Sequence, residues 1–138
     1  MKKEELVEEY LKVAQTYIGT PFKHQGRDKN GLDCIGIIVV PLREIQFFNY
    51  ENKNYKRYGL GGEIKEVLLK YCYELSWPCP LERGDILLFT KENSQHLAIY
   101  TGYSIIHANN FVGKVVEHIL DDKWKSLINK VYRYKEEV

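Results

Sequence analysis

Apolar residues at Leu6, Val7, Tyr10, Leu11, Ala14 and Tyr17 recur at steps of three and four, with Glu and Lys on the opposite face. That period predicts an amphipathic helix over 3–18, ended by the "GTP" at 19–21. The stretch "PFKHQGRDKNGLD" at 21–33 is polar, holds two glycines and a proline, and predicts a loop. A run of aliphatic residues from Ile35 to Val40 follows, then Pro41 and "LREIQFF". Composition alone allows strand or helix there. With Asp33 at an N-cap position, the run predicts one helix over about 34–47, bent near Pro41. Residues 49–62 predict a tyrosine-rich polar loop, and "EIKEVLLKYC" at 63–72 a further helix.

After Pro78 the pattern changes to alternation. "LERGDILLF" predicts a turn and a strand. "HLAIYTG" (96–102) and "SIIHANN" (104–110) predict two strands joined at Gly102. "VGKVVEHIL" (112–120) and "KVYRYK" (130–135) predict two more. A helical half followed by a run of strands implies an α+β fold, with the helices packed on an antiparallel sheet of about five strands.

At 138 residues, with 44% hydrophobic and 28% charged residues, the chain reads as a single domain spanning 1–138. The net charge of +1 does not ask for nucleic acid or an anionic membrane as a partner. The chain as it stands opens on four glutamates in its first twenty residues, unlike a signal peptide, and no window is apolar enough to insert in a membrane. The three cysteines, at 34, 72 and 79, then read as free thiols of a reducing compartment.

Cys34 falls where a helix begins. Unpaired N–H groups and the helix dipole at such a place favour a thiolate, hence a low-pKa nucleophile. A nucleophile needs a base. His96 opens one strand, and His107 lies 11 residues on in the next, so a hairpin turn would set them roughly opposite each other. Each of the three also has a plainer reading, as a core thiol or a structural imidazole. A zinc site built from Cys34, Cys72, Cys79, His96 and His107 would lack any short ligand spacing. Cys72 and Cys79 read as buried thiols, and His24 and His118 as loop or surface residues.

The ordered series "GTPFKHQGRDKNGLDCIG", "LERGDILLF", "HLAIYTG" and "IIHA" resembles the NlpC-type cysteine peptidases, the papain-like endopeptidases of bacterial cell walls. Their motifs run roughly G-x-P-Y-x-x-G-G, G-x-D-C-S-G, P-G-D-L-x-x-F, H-V-G-I-Y and a later I-H-A. The resemblance runs from about Leu11 to the last strand and implies a papain-like fold. It makes Cys34 the nucleophile, His96 the general base and His107 the residue that orients it. Asp33 would help bind the free amine of a substrate. Phe22 stands where the family has tyrosine, and His24 and Gln25 lie where they could replace the lost hydroxyl donor. Ile35 replaces the family's serine, and the loop retains one glycine of the usual pair. The implied reaction is hydrolysis of an amide in the peptidoglycan stem peptide, typically between γ-D-glutamate and the diamino acid, without cofactor or metal.

"PFKHQGR", "DCIG" and the 62-residue interval between Cys34 and His96 look most like the peptidases of phage tail and gene-transfer-agent clusters. That likeness implies a prophage or phage-tail element, cytoplasmic synthesis, and tail or baseplate proteins as partners that deliver the domain to the wall. Muropeptide recycling in the cytoplasm, a catalytically weak structural role in a tail tip, and acyl transfer on the same Cys-His framework remain as alternatives.

Overall fold

The computed structural model describes residues 2–47 and 62–136. It contains α1 (Lys3–Gln15), β1 (Arg27–Asp28), β2 (Gly31–Leu32), α2 (Gly36–Glu44), α3 (Gly62–Tyr71), β3 (Cys72–Ser76), β4 (Ile86–Lys91), β5 (Ser94–Tyr100), β6 (Ser104–Asn109), β7 (Lys114–Ile119), α4 (Asp122–Lys125) and β8 (Ile128–Tyr134). The polar loop expected over 49–62 lies outside the described residues, apart from Gly62, which begins α3.

The stripe predicted on α1 is the stripe it buries: Leu6, Val7, Tyr10, Leu11 and Ala14 face inward. Tyr10 reaches α2 through its hydroxyl, which donates to the Ile38 carbonyl at 3.1 Å. α2 is buried from Gly36 to Leu42, which explains why its sequence lacks an amphipathic signature. Pro41 sits inside it, leaving the helix one backbone bond short.

The main sheet has six antiparallel strands in the order β3-β8-β4-β5-β6-β7, one more than expected. The extra strand is β3, "CYELS", which follows α3 without a spacer and pairs with β8 from Cys72↔Tyr134 to Ser76↔Lys130. Strands β4 to β7 form a meander, but β8 crosses back to lie between β3 and β4. One core packs α1, α2 and α3 on the sheet, including Leu97, Ile99, Ile106 and Tyr132. A smaller cluster on the other side gathers Leu87, Phe89, Ile105, Leu120 and Val131.

The segment expected as a plain loop is ordered. Gly19 N–H donates to the Val115 carbonyl, Val115 N–H to the Thr20 carbonyl and Phe22 N–H to the Gly113 carbonyl, lacing it to β7. β1 and β2 then form a two-stranded hairpin that ends beside Cys34. Backbones approach closely here: a Cβ on Gly26 would lie 2.2 Å from the Gly31 oxygen, and one on Gly36 2.5 Å from the Gly26 oxygen. Only glycine fits at those two places.

Candidate active site

Cys34 stands at the turn between β2 and α2, and Asp33 builds that turn. Asp33 is 3% exposed. Its Oδ1 accepts the Gly36 N–H at 2.8 Å and an Arg27 guanidinium N–H at 3.1 Å, while Oδ2 accepts the Gln25 N–H at 2.7 Å. The first of these closes the turn that leads into α2, whose N-cap residue is Ile35 and not the expected Asp33. The same carboxylate ties the hairpin loop to the helix start, so it faces the protein interior and not the cavity.

Cys34, His96 and Phe22 line one cavity of about 510 Å³, together with Phe89, Trp124 and Phe111. His24 and Gln25 are outside that lining; Gln25 holds φ +62°, and His24 Nδ1 is 4.0 Å from Asp33 Oδ2. His96, on β5, is paired with Phe89 of β4. His96 Nε2 is 2.8 Å from His107 Nδ1. His107 is fully buried, with no exposed surface. The two histidines are diagonal neighbours, not opposed: Ile99 pairs with Ile106 and Tyr100 with Ile105, and that register continued sets His96 two positions off His107.

The row does not stop at His107. His107 Nε2 is 2.8 Å from His118 Nε2, and His118 Nδ1 is 3.0 Å from the Ile119 carbonyl oxygen. His118, expected at the surface, is half-buried at the end of a three-imidazole row that crosses β5, β6 and β7. The sequence did carry a signal: His96, His107 and His118 are spaced 11 and 11. With His107 opposite Val116 and His118 opposite Ile105, this spacing keeps the rings on one face and one diagonal step apart. Trp124, on the short helix α4, roofs the row, with ring centroids 4.9 Å from His107, 5.5 Å from His118 and 6.1 Å from His96. The "DDKW" stretch held that clue, since Asp121 Oδ1 caps α4 by accepting the Trp124 N–H at 2.9 Å.

The electrostatics reverse one expectation. Burial pushes the Cys34 thiol up to about 12, and the Asp33 carboxylate adds to the rise. The nearby N–H groups of Leu97 and Cys34 and the Arg27 charge offset this only in part. Desolvation therefore outweighs the helix N-terminus, and Cys34 rests as a thiol, not as a low-pKa thiolate. Burial also lowers His96 to about 4. It holds His107 lower still, with His96 and His118 adding to the effect. The resting pair is thus neutral thiol and neutral imidazole. Among the described residues no three His, Cys, Asp or Glu side chains are grouped to hold a metal ion. In the histidine row each ring bonds the next.

Residues 19–133 match the NlpC/P60 family. The chain is 28% identical over 113 residues to the probable endopeptidase NlpC of Escherichia coli (strain K12), covering 78% of this chain and 64% of that protein. It is 23% identical over 117 residues to the murein DD-endopeptidase MepS/murein LD-carboxypeptidase of the same organism, covering 83% and 56%. The chain thus spans 64% and 56% of the length of these two curated relatives. Among solved structures, the NlpC/p60 domain of the peptidoglycan hydrolase SagA superposes with a TM-score of 0.65 at 20% identity, over 91% of this chain and 97% of that one. The peptidoglycan hydrolase RipB from Mycobacterium tuberculosis superposes at 0.66 and 18% identity, over 95% and 65%. These superpositions mark the arrangement of helices on an antiparallel sheet as the papain-like NlpC/P60 fold. With the matched span running from the laced loop through Cys34 to the last strand, the chain belongs to the NlpC/P60 family.

Proposed function

We propose that this domain is a cysteine peptidase that hydrolyses an amide bond in peptidoglycan stem peptides. The observation that carries the reading is the meeting of Cys34 and His96 on the wall of one cavity, with His96 bonded onward to buried His107. The relatives' names, endopeptidase and peptidoglycan hydrolase, supply the substrate class.

The neutral resting pair sets the first step. His96 takes the thiol proton as Cys34 sulfur attacks the amide carbonyl, so thiolate forms only as the substrate engages. Substrate entry displaces water from the cavity, which strengthens the N–H groups around the sulfur. The tetrahedral intermediate collapses as imidazolium His96 protonates the leaving amine, giving a thioester on Cys34. Water, deprotonated by His96, then attacks the thioester and releases the acid and the thiol.

The finer assignment we infer is the γ-D-glutamyl–diamino acid bond, which rests on the family resemblance, in a domain delivered by a phage tail or baseplate, which the "PFKHQGR" and "DCIG" stretches support. Mass spectrometry of defined muropeptides incubated with wild type and Cys34→Ala tests the reading. The wild type should yield the two fragments of that bond and Cys34→Ala none. Turnover that survives Cys34→Ala or His96→Ala overturns the cysteine-peptidase reading, and fragments from another linkage overturn only the bond assignment. Co-purification with tail proteins from a producing strain tests the delivery.

A further inference from the structure

We propose that His118 is a positioning residue that sets the tautomer of the catalytic base from the far end of the histidine row. The inference rests on the reading of His96 as general base. Its starting point is the Ile119 carbonyl, 3.0 Å from His118 Nδ1. A carbonyl can only accept, so His118 Nδ1 carries a hydrogen and, in the neutral ring, Nε2 is the acceptor. His107 Nε2 lies 2.8 Å from that acceptor and must donate. In neutral His107, Nδ1 is then the acceptor, and His96 Nε2, 2.8 Å away, must donate to it. One assignment follows along the whole row. His96 carries its hydrogen on Nε2 and leaves Nδ1 bare, the nitrogen that is free to take the thiol proton.

The rest of the site enforces neutrality. His107 has no exposed surface, and Trp124 covers all three rings, so a charge on the middle ring has no water to solvate it. His107 has no carboxylate in the row to fix its orientation. In a triad ended by a carboxylate, the acid accepts and sets the tautomer directly. Here His107 can donate or accept at either nitrogen, and it orients His96 correctly only if something beyond it accepts. His118, anchored through Ile119, is that acceptor.

The test uses histidine labelled with nitrogen-15 in the full chain near neutral pH. Long-range nitrogen–proton spectra of the wild type should show His96 and His107 as Nε2–H tautomers and His118 as Nδ1–H. His118→Leu removes the acceptor. It should mix the tautomers of His107 and His96 and lower kcat by roughly tenfold to a hundredfold, as when a partner that orients a functional imidazole is lost. KM should stay unchanged, because His118 is outside the cavity lining. His118→Gln supplies a side-chain carbonyl and should restore both the tautomers and most of kcat. An Nδ1–H His96 in the wild type overturns the proposal without any variant. So does a His118→Leu protein with unchanged tautomers and kcat, or a His118→Gln protein as impaired as His118→Leu. Loss of the base reading is distinguishable, since it shows as turnover surviving His96→Ala while the tautomer spectra stand.

Discussion

Asp33 and Cys34 are neighbours whose electrostatics oppose each other. The carboxylate accepts N–H groups from Gln25, Arg27 and Gly36, and it also raises the thiol beside it. Arg27 and Asp33 form an ion pair with side chains 7% and 4% exposed. Breaking such a buried pair on one side costs on the order of 3 kcal/mol. Asp33→Asn should therefore lower the urea midpoint of unfolding. It should also bring the Cys34 thiol pKa down, so that alkylation at a fixed pH near 8 becomes faster even as the fold weakens. An unchanged midpoint, or a thiol that titrates higher in the variant, would contradict this account. Sequence reading could see that Asp33 stands at the turn before a helix, because that turn is a matter of three residues. It could not see that both oxygens face inward, because Gln25 and Arg27 reach them only through the fold of the hairpin.

At the level of elements, Cys34 is placed by contact between backbones. The 19–33 segment is laced to β7, and its hairpin presses Gly26 against Gly36 at the start of α2. Gly36→Ala would put a Cβ 2.5 Å from the Gly26 carbonyl oxygen and 3.1 Å from the Leu32 side chain. Forcing atoms into a packed place of this kind costs about 1–3 kcal/mol. The expected outcome is a lower unfolding midpoint, with turnover falling further than stability because α2 moves Cys34 away from His96. A variant with the wild-type midpoint and turnover would show that the contact is slack. The strands β4 to β7 were legible from alternation and from turns at Gly102 and Gly113. β3 was not, because "CYELS" directly follows the last turn of α3 and carries no turn residue to separate the two periods.

Across the whole molecule, the buried histidines couple the site to stability. Burial holds His96 near 4 and His107 lower, against about 6.5 for an unfolded histidine. The unfolded chain thus binds protons that the native state refuses. Above about pH 6.5 both states are neutral at these rings, and the histidines leave stability unchanged with pH. As pH falls from 6.5 toward 4, stability is lost, with a slope of up to about one proton per buried ring, less at His96, whose edge opens to the cavity. Urea unfolding at pH 7, 6 and 5 should show that decline. A variant carrying both His96→Gln and His107→Asn should show a shallower one. Equal slopes in the two proteins would remove the coupling.

The sequence by itself determined the features that depend on short range. The stripe of α1, the alternation of the strands, the Asp33 turn before α2 and the order of motifs around Cys34, His96 and His107 all come from neighbours within a turn or a hairpin. The tertiary structure decided what depends on segments far apart in the chain. β8 returns between β3 and β4, a choice made by pairing partners 39 or more residues distant. Trp124 closes over the histidines, and His118 becomes the end of a bonded row instead of a surface ring. The charge state of Cys34 reversed for the same reason. A helix N-terminus is a local and partial charge, whereas desolvation sums over everything packed around the sulfur, and here the sum is larger.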